Sequence, residues 1–364
     1  MSVFSDLLAY AVKKDASDIH LTVGSPPACR IDGKIEFFGD RNLRPKDTMR
    51  FLDEILNEHQ KEKFMRSGDA DVALSMEGLG RFRVNVLRQR GSVGIVMRHV
   101  RGKIMSFEKL NLPPALDKIV TAQRGLVLVT GTTGSGKSTT LASIIDRINE
   151  TRSDHIITLE DPVEFLHTNK KSIVTQREIA IDTKNFDVAL RAALREDPDV
   201  ILIGEMRDAE TFAAAASAAE TGHLVFSTLH TTNAMLTIER ILDMFPPTQH
   251  DQIRSQMSMQ LKACIAQRLL PSKDGKGRVA AIEIMFNTPA IAQLIRDNNI
   301  KSIGNAIAAG AEEGMQSFNV SLVKLTNDKK VKVEDAMKAS DNADELKMNL
   351  EGIYLSATAG ILKH

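Results

Sequence analysis

The sequence predicts an α/β protein in two parts, a small α+β domain followed by a larger domain on a doubly wound parallel sheet. Three observations carry this. Apolar alternation marks the first hundred residues. From about residue 115, short and wholly apolar runs alternate with helical stretches, as strands buried on both faces do. One of those runs, Leu126-Val-Leu-Val129, leads straight into Gly131-Thr-Thr-Gly-Ser-Gly-Lys137-Ser138, a complete G-x-x-x-x-G-K-[ST] pattern that opens into a helical stretch.

Taken in order, Phe4, Leu7, Leu8, Ala11 and Val12 recur at helical spacing, and Ile19, Leu21 and Val23 then alternate as a strand does. Ile31-Asp32-Gly33-Lys34-Ile35 is a hairpin signal, because Asp-Gly accepts the positive φ angles of a type I′ turn. A helix is expected from Thr48 to Leu56. In Gly80 to Leu87 alternation puts Phe82, Val84 and Val86 on one face and Arg81, Arg83 and Asn85 on the other. Residues 1–100 therefore form the expected first domain. The polar, proline-marked stretch from Arg101-Gly102 to Pro113-Pro114 is the expected linker, 101–114, and 115–364 the second domain. There, strands are expected at 126–130, 156–159, 200–203 and 224–227. After residue 245 the chain is expected to be mostly helical, with a Gly/Lys-rich turn at 273–278. The alanine-rich run Phe212 to Ala219 is a strong helix former and too short to span a membrane.

Length and composition narrow the function classes. A chain of 364 residues is long for one core, and 43% apolar content supplies enough for two. Lys+Arg and Asp+Glu both number 47, so no net basic field draws the chain onto nucleic acid. With no Trp and 4% aromatics, stacking platforms for single strands lack material. No nucleic-acid partner is expected. No run of 18 uncharged apolar residues occurs, and the start lacks a secretory signal pattern, so the expectation is a soluble intracellular chain without direct membrane insertion. Cys29 and Cys264 are far apart, which fits a reducing compartment, excludes a tetracysteine zinc module, and suits buried small apolar residues.

The glycines of the 131–138 loop let backbone N–H groups point at phosphate oxygens. Lys137 can neutralise the outer phosphates and the Ser138 hydroxyl can hold Mg²⁺, so a nucleoside triphosphate is the expected ligand. Val200-Ile-Leu-Ile-Gly204-Glu205 is an apolar run ending in a carboxylate, suited to the Mg²⁺ shell or to polarising a water. Because Gly204 and Glu205 replace the usual strand-end aspartate, the metal contact can run through water. Ile156 to Phe165 carries Glu160, Asp161 and Glu164 into a proline-fixed loop, where one carboxylate can orient or deprotonate the attacking water. His223 precedes and His230 closes the run Leu224 to Leu229. A strand-end histidine is either a hydrogen-bonded structural group or a sensor of phosphate or metal, and no Cys/His quartet makes it a zinc ligand. Arg81, Arg83, Arg88 and Arg90 in the first domain, with Arg195 and Arg207 around the Glu205 run, form a group from which a transition-state arginine can come.

Together GTTGSGKST at 131–139, ITLEDPVEF at 157–165, DPDVILIGEMRD at 197–208 and TGHLVFSTLHT at 221–231 resemble the secretion ATPase superfamily, and within it the type IV pilus retraction branch. The likeness runs from the first helix to beyond residue 325. It implies a PAS-like first domain, a RecA-like P-loop domain with a helical C-terminal part, and a homo-hexamer binding ATP and Mg²⁺ between domains at subunit boundaries. ATP would be held by Thr132, Thr133, Gly134, Ser135, Gly136, Lys137, Ser138 and Thr139. Glu164 would be the catalytic base, Glu205 the Walker B acid, and His223 and His230 the histidine-box pair, with Arg81 and Arg83 approaching the phosphates. Ala290-Ile-Ala-Gln-Leu-Ile-Arg296-Asp297 resembles the branch's retraction motif AIRNLIRE, with Ala292 and Gln293 in place of its Arg and Asn. The implied partners are an inner-membrane pilus platform protein and an accessory retraction ATPase, and the implied place is the cytoplasmic side of that membrane. An accessory paralogue is the alternative suggested by Asp341 to Lys347, while Leu194 to Asp199 follows the principal retraction form. Pilus-assembly and type II secretion ATPases usually add an N-terminal domain and a tetracysteine zinc motif, neither of which is expected here, and two cysteines cannot make the latter. A scaffold subunit that binds ATP without hydrolysing it is the reading from another class, and intact Lys137, Glu164 and Glu205 speak against it.

Overall fold

The structure, a computed structural model, describes residues 3–31, 33–100, 102 and 104–353. Asp32 of the expected hairpin turn and Arg101 of the expected linker lie outside the described residues. The chain divides into two compact units, Met1–Lys103 with Glu164–Leu166, and Ile104–Val163 with His167–His364.

The first unit is an antiparallel sheet with helices. Its strands are β1 (Asp18–Leu21), β2 (Ala28–Ile31), β3 (Lys34–Phe37), β4 (Asp69–Met76), β5 (Gly80–Gln89) and β6 (Ser92–Val100), in the order β3-β2-β1-β6-β5-β4. Alternation along β5 turns Phe82, Val84 and Val86 into a core shared with Phe4 and Leu8 of helix Val3–Lys13 and Phe51 and Leu52 of helix Pro45–Ile55. That second helix starts ahead of the expected Thr48, because Pro45 sits at its first turn, where a missing N–H costs nothing. A further helix, Glu58–Ser67, opens on an Asn57/Gln60 capping box and stops at left-handed Gly68.

The second unit holds β7 (Gly125–Thr130), β8 (His155–Glu160), β9 (Ile173–Glu178), β10 (Val200–Ile203), β11 (Leu224–Leu229), β12 (Leu261–Pro271) and β13 (Arg278–Phe286). Their order is β13-β12-β7-β11-β10-β8-β9, parallel throughout except for antiparallel β13 at one edge. β7, β10 and β11 are buried along their whole length, which is why apolar residues dominate them without alternation, β10 being apolar throughout and β11 broken only by Ser227 and Thr228. Helix Ala209–Glu220 buries Ala215, Ala216, Ala218 and Ala219, small side chains that let it lie close on its neighbours. Residues expected as linker belong instead to this unit from Ile104 onward, with Phe107 and Leu112 buried in its core.

The expectation of a mostly helical chain after residue 245 is corrected by β12 and β13, a long hairpin around the expected turn. Both strands are buried on both faces, so their apolar residues show no period of two, and a buried strand then reads like a buried helix. Helices Pro289–Arg296, Ile303–Ala309, Phe318–Asn327, Val333–Ala339 and Ala343–Leu350 follow, and Phe318, Leu322 and Val323 pack on Ala266, Leu270 and Ala281 of the hairpin. Cys29 and Cys264 are buried and free, and burial pushes the Cys264 thiol up to about 12. Among the described residues no helix is long and apolar enough to cross a membrane.

Candidate active site

Because β7, β8, β10 and β11 run parallel, their carboxyl ends deliver Gly131, Glu160, Gly204-Glu205 and His230 to one edge of the sheet. At that edge the 131–138 loop joins β7 to helix Lys137–Thr151. Gly131, Gly134 and Gly136 take φ of +148°, +79° and +91°, which side-chain-bearing residues rarely adopt. The turned backbone leaves the amides around the helix N-terminus as an anion cradle. Lys137, 9% exposed, folds over the loop and donates to the Gly131 and Thr132 carbonyls at 2.8 and 3.2 Å. Ser135 Oγ is buried within the loop and has no hydrogen-bond partner among the described residues. A polyphosphate fits this cradle, since it offers acceptors to the amides, to Lys137 and to that hydroxyl. Thr132, Thr133 and Gly134 form the exposed rim, while Ser138 and Thr139 stand half-buried in the first helical turn.

Glu205 is the second component. Its Oε2 accepts from Arg207 Nη2 at 2.7 Å and its Oε1 lies 3.3 Å from His230 Nε2. Burial raises the Glu205 carboxyl, but the hydrogen bond and charge of Arg207, with the charges of His230 and Lys137, outweigh it and hold the group below the usual glutamate range. The site thus keeps a carboxylate ionised beside the loop lysine. The backbone here is fixed by neighbouring strands: Gly204 N–H donates to the Leu159 carbonyl at 2.8 Å, Thr228 Oγ1 to the Gly204 carbonyl at 2.7 Å, and Met206 N–H to the Thr228 carbonyl at 3.0 Å. Gly204 suits the closeness here, since a Cβ would lie 3.3 Å from Glu160 Cα and from the Leu159 carbonyl, a tight contact against backbone. Carboxylate and hydroxyl oxygens at one sheet edge are the donors that Mg²⁺ takes.

Glu160 accepts from Thr158 Oγ1 at 2.6 Å and from Gln176 Nε2 at 3.2 Å, so β8 and β9 fix its carboxylate, and the charge of Asp161 reaches Arg207. Glu164 is exposed and falls in the first compact unit with Phe165 and Leu166. Arg81 and Arg83 lie on β5 of that unit, with Arg83 exposed. Two expected residues stand at the other end of the second sheet. His223 comes just before β11 and gives its Nδ1 to the Ala218 carbonyl at 2.9 Å, while Arg195 sits in the exposed turn ahead of β10. His223 is thus separated from His230 by the length of β11, about 20 Å at strand rise. Arg296 ends helix Pro289–Arg296 and donates to Gln293 Oε1 at 3.0 Å, with Ala292 of the same helix buried. Gln267 was not foreseen. This β12 side chain, 3% exposed, touches the phosphate loop directly, and its only sequence signal is one amide inside an apolar run.

Against known proteins, the family model described as type II/IV secretion system protein matches residues 2–338. The chain belongs to that family. It is 46% identical over 321 residues to the type IV pilus retraction ATPase PilT of Pseudomonas aeruginosa, covering 88% of this chain and 93% of that one. It is 41% identical over 348 residues to the type IV pilus ATPase PilU of the same organism, covering 96% and 91%. Among solved structures, a crystal structure of the pilus retraction motor PilT with bound ADP superposes with a TM-score of 0.88 at 48% identity, covering 95% of this chain and 99% of that one. As a member of this secretion family the chain is a nucleotide-binding ATPase, with an antiparallel first unit and a parallel-sheet ATPase unit.

Proposed function

We propose that this chain is the subunit of a homo-hexameric motor that hydrolyses ATP to retract type IV pili, working on an inner-membrane platform protein from the cytoplasmic face of that membrane. The observation that carries this reading is the likeness to a pilus retraction ATPase over 88% of this chain, supported by a phosphate loop with Glu205 beside it held below the usual glutamate range. In this reading ATP lies along Thr132 to Thr139, with Lys137 neutralising its outer phosphates. Ser138 and Glu205, the latter through water, hold Mg²⁺, which when bound screens charge on the phosphoryl oxygens. Glu164 takes the proton of the attacking water, and Arg81 and Arg83 meet transition-state charge from the first unit. Arg207 and His230 orient Glu205, as their distances support. Glu160 and Asp161 keep supporting places around this chemistry, whereas Arg195 and His223 stand at the opposite end of the sheet and Arg296 ends helix Pro289–Arg296. Successive turnovers open and close the subunits and shift the platform, so that pilin leaves the fibre base.

Electron-microscopic counts of surface pili on cells lacking the chain test the direction of force. Excess pili are expected, and bald cells would make this an assembly motor. The 41% identity to PilU over 96% of the chain favours one second reading, an accessory retraction ATPase. That reading requires pili to stop retracting when this chain is the cell's sole motor of the family.

A further inference from the structure

β12 runs parallel to β7 with Ala266 opposite Thr130, and then continues to Pro271 where β7 ends. The continuation brings its backbone and alternate side chains under the phosphate loop. A Cβ on Gly131 would lie 2.5 Å from the Gln267 carbonyl, and one on Gly136 would lie 2.7 Å from Gln267 Nε2 and 3.4 Å from a Leu269 methyl. Two of the loop glycines are therefore demanded by β12 as well as by the loop's own turns.

The Gln267 amide makes two bonds across this contact. Nε2 donates to the Ser135 carbonyl at 2.8 Å, and Oε1 accepts from Thr140 Oγ1 at 2.7 Å. A carbonyl can only accept, so the amide orientation is fixed, and the hydroxyl completes the pair. One end of the bridge is the middle of the loop and the other is the first turn of the following helix. Both bonds are buried, where leaving a partner unmet is costly. No other side chain of this length offers a donor and an acceptor from one planar group. Glu lacks the donor, and Met lacks both. The next residue, Arg268, projects to the opposite face, binds Asp341 through both carboxylate oxygens at 2.7 and 2.8 Å, and stacks on Phe318 at 4.0 Å. Of these two neighbours only Gln267 faces the loop; Arg278 of β13 adds an exposed and longer bond, its Nη1 donating to the Gly134 carbonyl at 3.4 Å.

We propose that Gln267 is a positioning residue for the nucleotide site: by bridging Ser135 and Thr140 it fixes the curvature of the phosphate loop and thereby the affinity for the nucleotide diphosphate moiety. It acts through the loop and touches no reacting atom. The inference rests on the ATPase reading above, and ADP binding separates the two.

The test compares the full-length wild type with Gln267→Ala, Gln267→Glu and Thr140→Val, measuring ADP affinity by calorimetry, KM and kcat for MgATP, and thermal unfolding. Gln267→Ala is expected to weaken ADP binding and raise KM by roughly tenfold, the worth of one or two buried hydrogen bonds, with kcat changed by less than about threefold. Gln267→Glu loses the donor and is expected to follow it. Thr140→Val removes only the orienting hydroxyl, so a smaller change in the same direction is expected, and the double variant with Gln267→Ala should add little to Gln267→Ala alone. Asp341→Asn, on the other face of β12, serves as the control for general loss of stability and should leave ADP affinity unchanged. If folded Gln267→Ala and Thr140→Val both bind ADP as the wild type does, Gln267 only supports the sheet and the proposal is overturned. A wild type that binds ADP without turning over ATP would sink the hydrolysis reading and leave the Gln267 comparison intact.

Discussion

The two edges of the second unit's parallel sheet carry the same kinds of residue and answer them differently. At the amino edge the polar groups are met largely by backbone. His155 Nδ1 faces the Glu196 carbonyl at 2.9 Å, His155 N–H donates to Asp199 at 2.8 Å, and His223 is held by the Ala218 carbonyl at 2.9 Å. At the carboxyl edge the charged groups meet one another. Glu205 sits between Arg207 and His230 with Lys137 in electrostatic reach, and Ser135 Oγ is buried without a partner among the described residues. Backbone partners cannot be exchanged for a ligand, whereas charged side chains can turn to a phosphate at little cost. The two histidines flank a single strand, so identical residues meet different partners: His223 a backbone carbonyl and His230 the Glu205 carboxylate.

Lys137→Ala should break the carboxyl edge most completely. Nucleotide binding and turnover are expected to fall by roughly 100-fold or more, and near-normal turnover would remove the loop from the chemistry. The histidine pair sharpens the contrast more finely. His230→Ala should lower kcat by about tenfold through a less well oriented Glu205, while His223→Ala should leave kcat within about twofold and cost about 1 kcal/mol of stability. Equal losses of kcat would mean that His223 reaches a nucleotide despite its place at the amino edge.

A third test sets Glu205 against Glu283 of β13. Burial pushes the Glu283 carboxyl up to about 7, against a bond from Ala234 N–H at 2.8 Å and the charge of Arg268, with Asp341 adding to the rise. Its folded value lies above its unfolded one, so the stability it contributes is present below about 4.5 and is lost as pH rises towards about 7. Glu283→Gln keeps the acceptor for Ala234 and removes the titration. Thermal unfolding should show the variant no more stable than wild type near pH 4.5 and more stable by up to about 3 kcal/mol near pH 8. A constant difference across that range would place the wild-type carboxyl near its ordinary value.

The sequence exposed those parts of the molecule whose pattern has one structural meaning. The 131–138 loop could be placed because strand, glycines, lysine and helix follow one another without a gap, and β7, β10 and β11 because each carries four apolar residues in a short run that ends abruptly before Gly, Glu or His. β12 and β13 escaped because burial on both faces erases the alternation that marks a strand. β9 escaped for the opposite reason: Ile173-Val-Thr-Gln-Arg-Glu178 is a partly exposed edge strand with few apolar residues. Gln267 depends on β12 for its position, so nothing local could reveal it. His223 and His230 looked alike because sequence gives the spacing of residues along a strand and leaves its direction relative to the site to the fold.

In the proposed reading the carboxyl edge of this sheet hydrolyses ATP with Glu205 serving the chemistry and not the binding of ADP. Steady-state ATP turnover and ADP affinity, measured on the same preparations of wild type and Glu205→Ala, address it most directly. Turnover is expected to fall by roughly 100-fold with ADP affinity within about threefold of wild type. Unchanged turnover in a folded Glu205→Ala chain would contradict it.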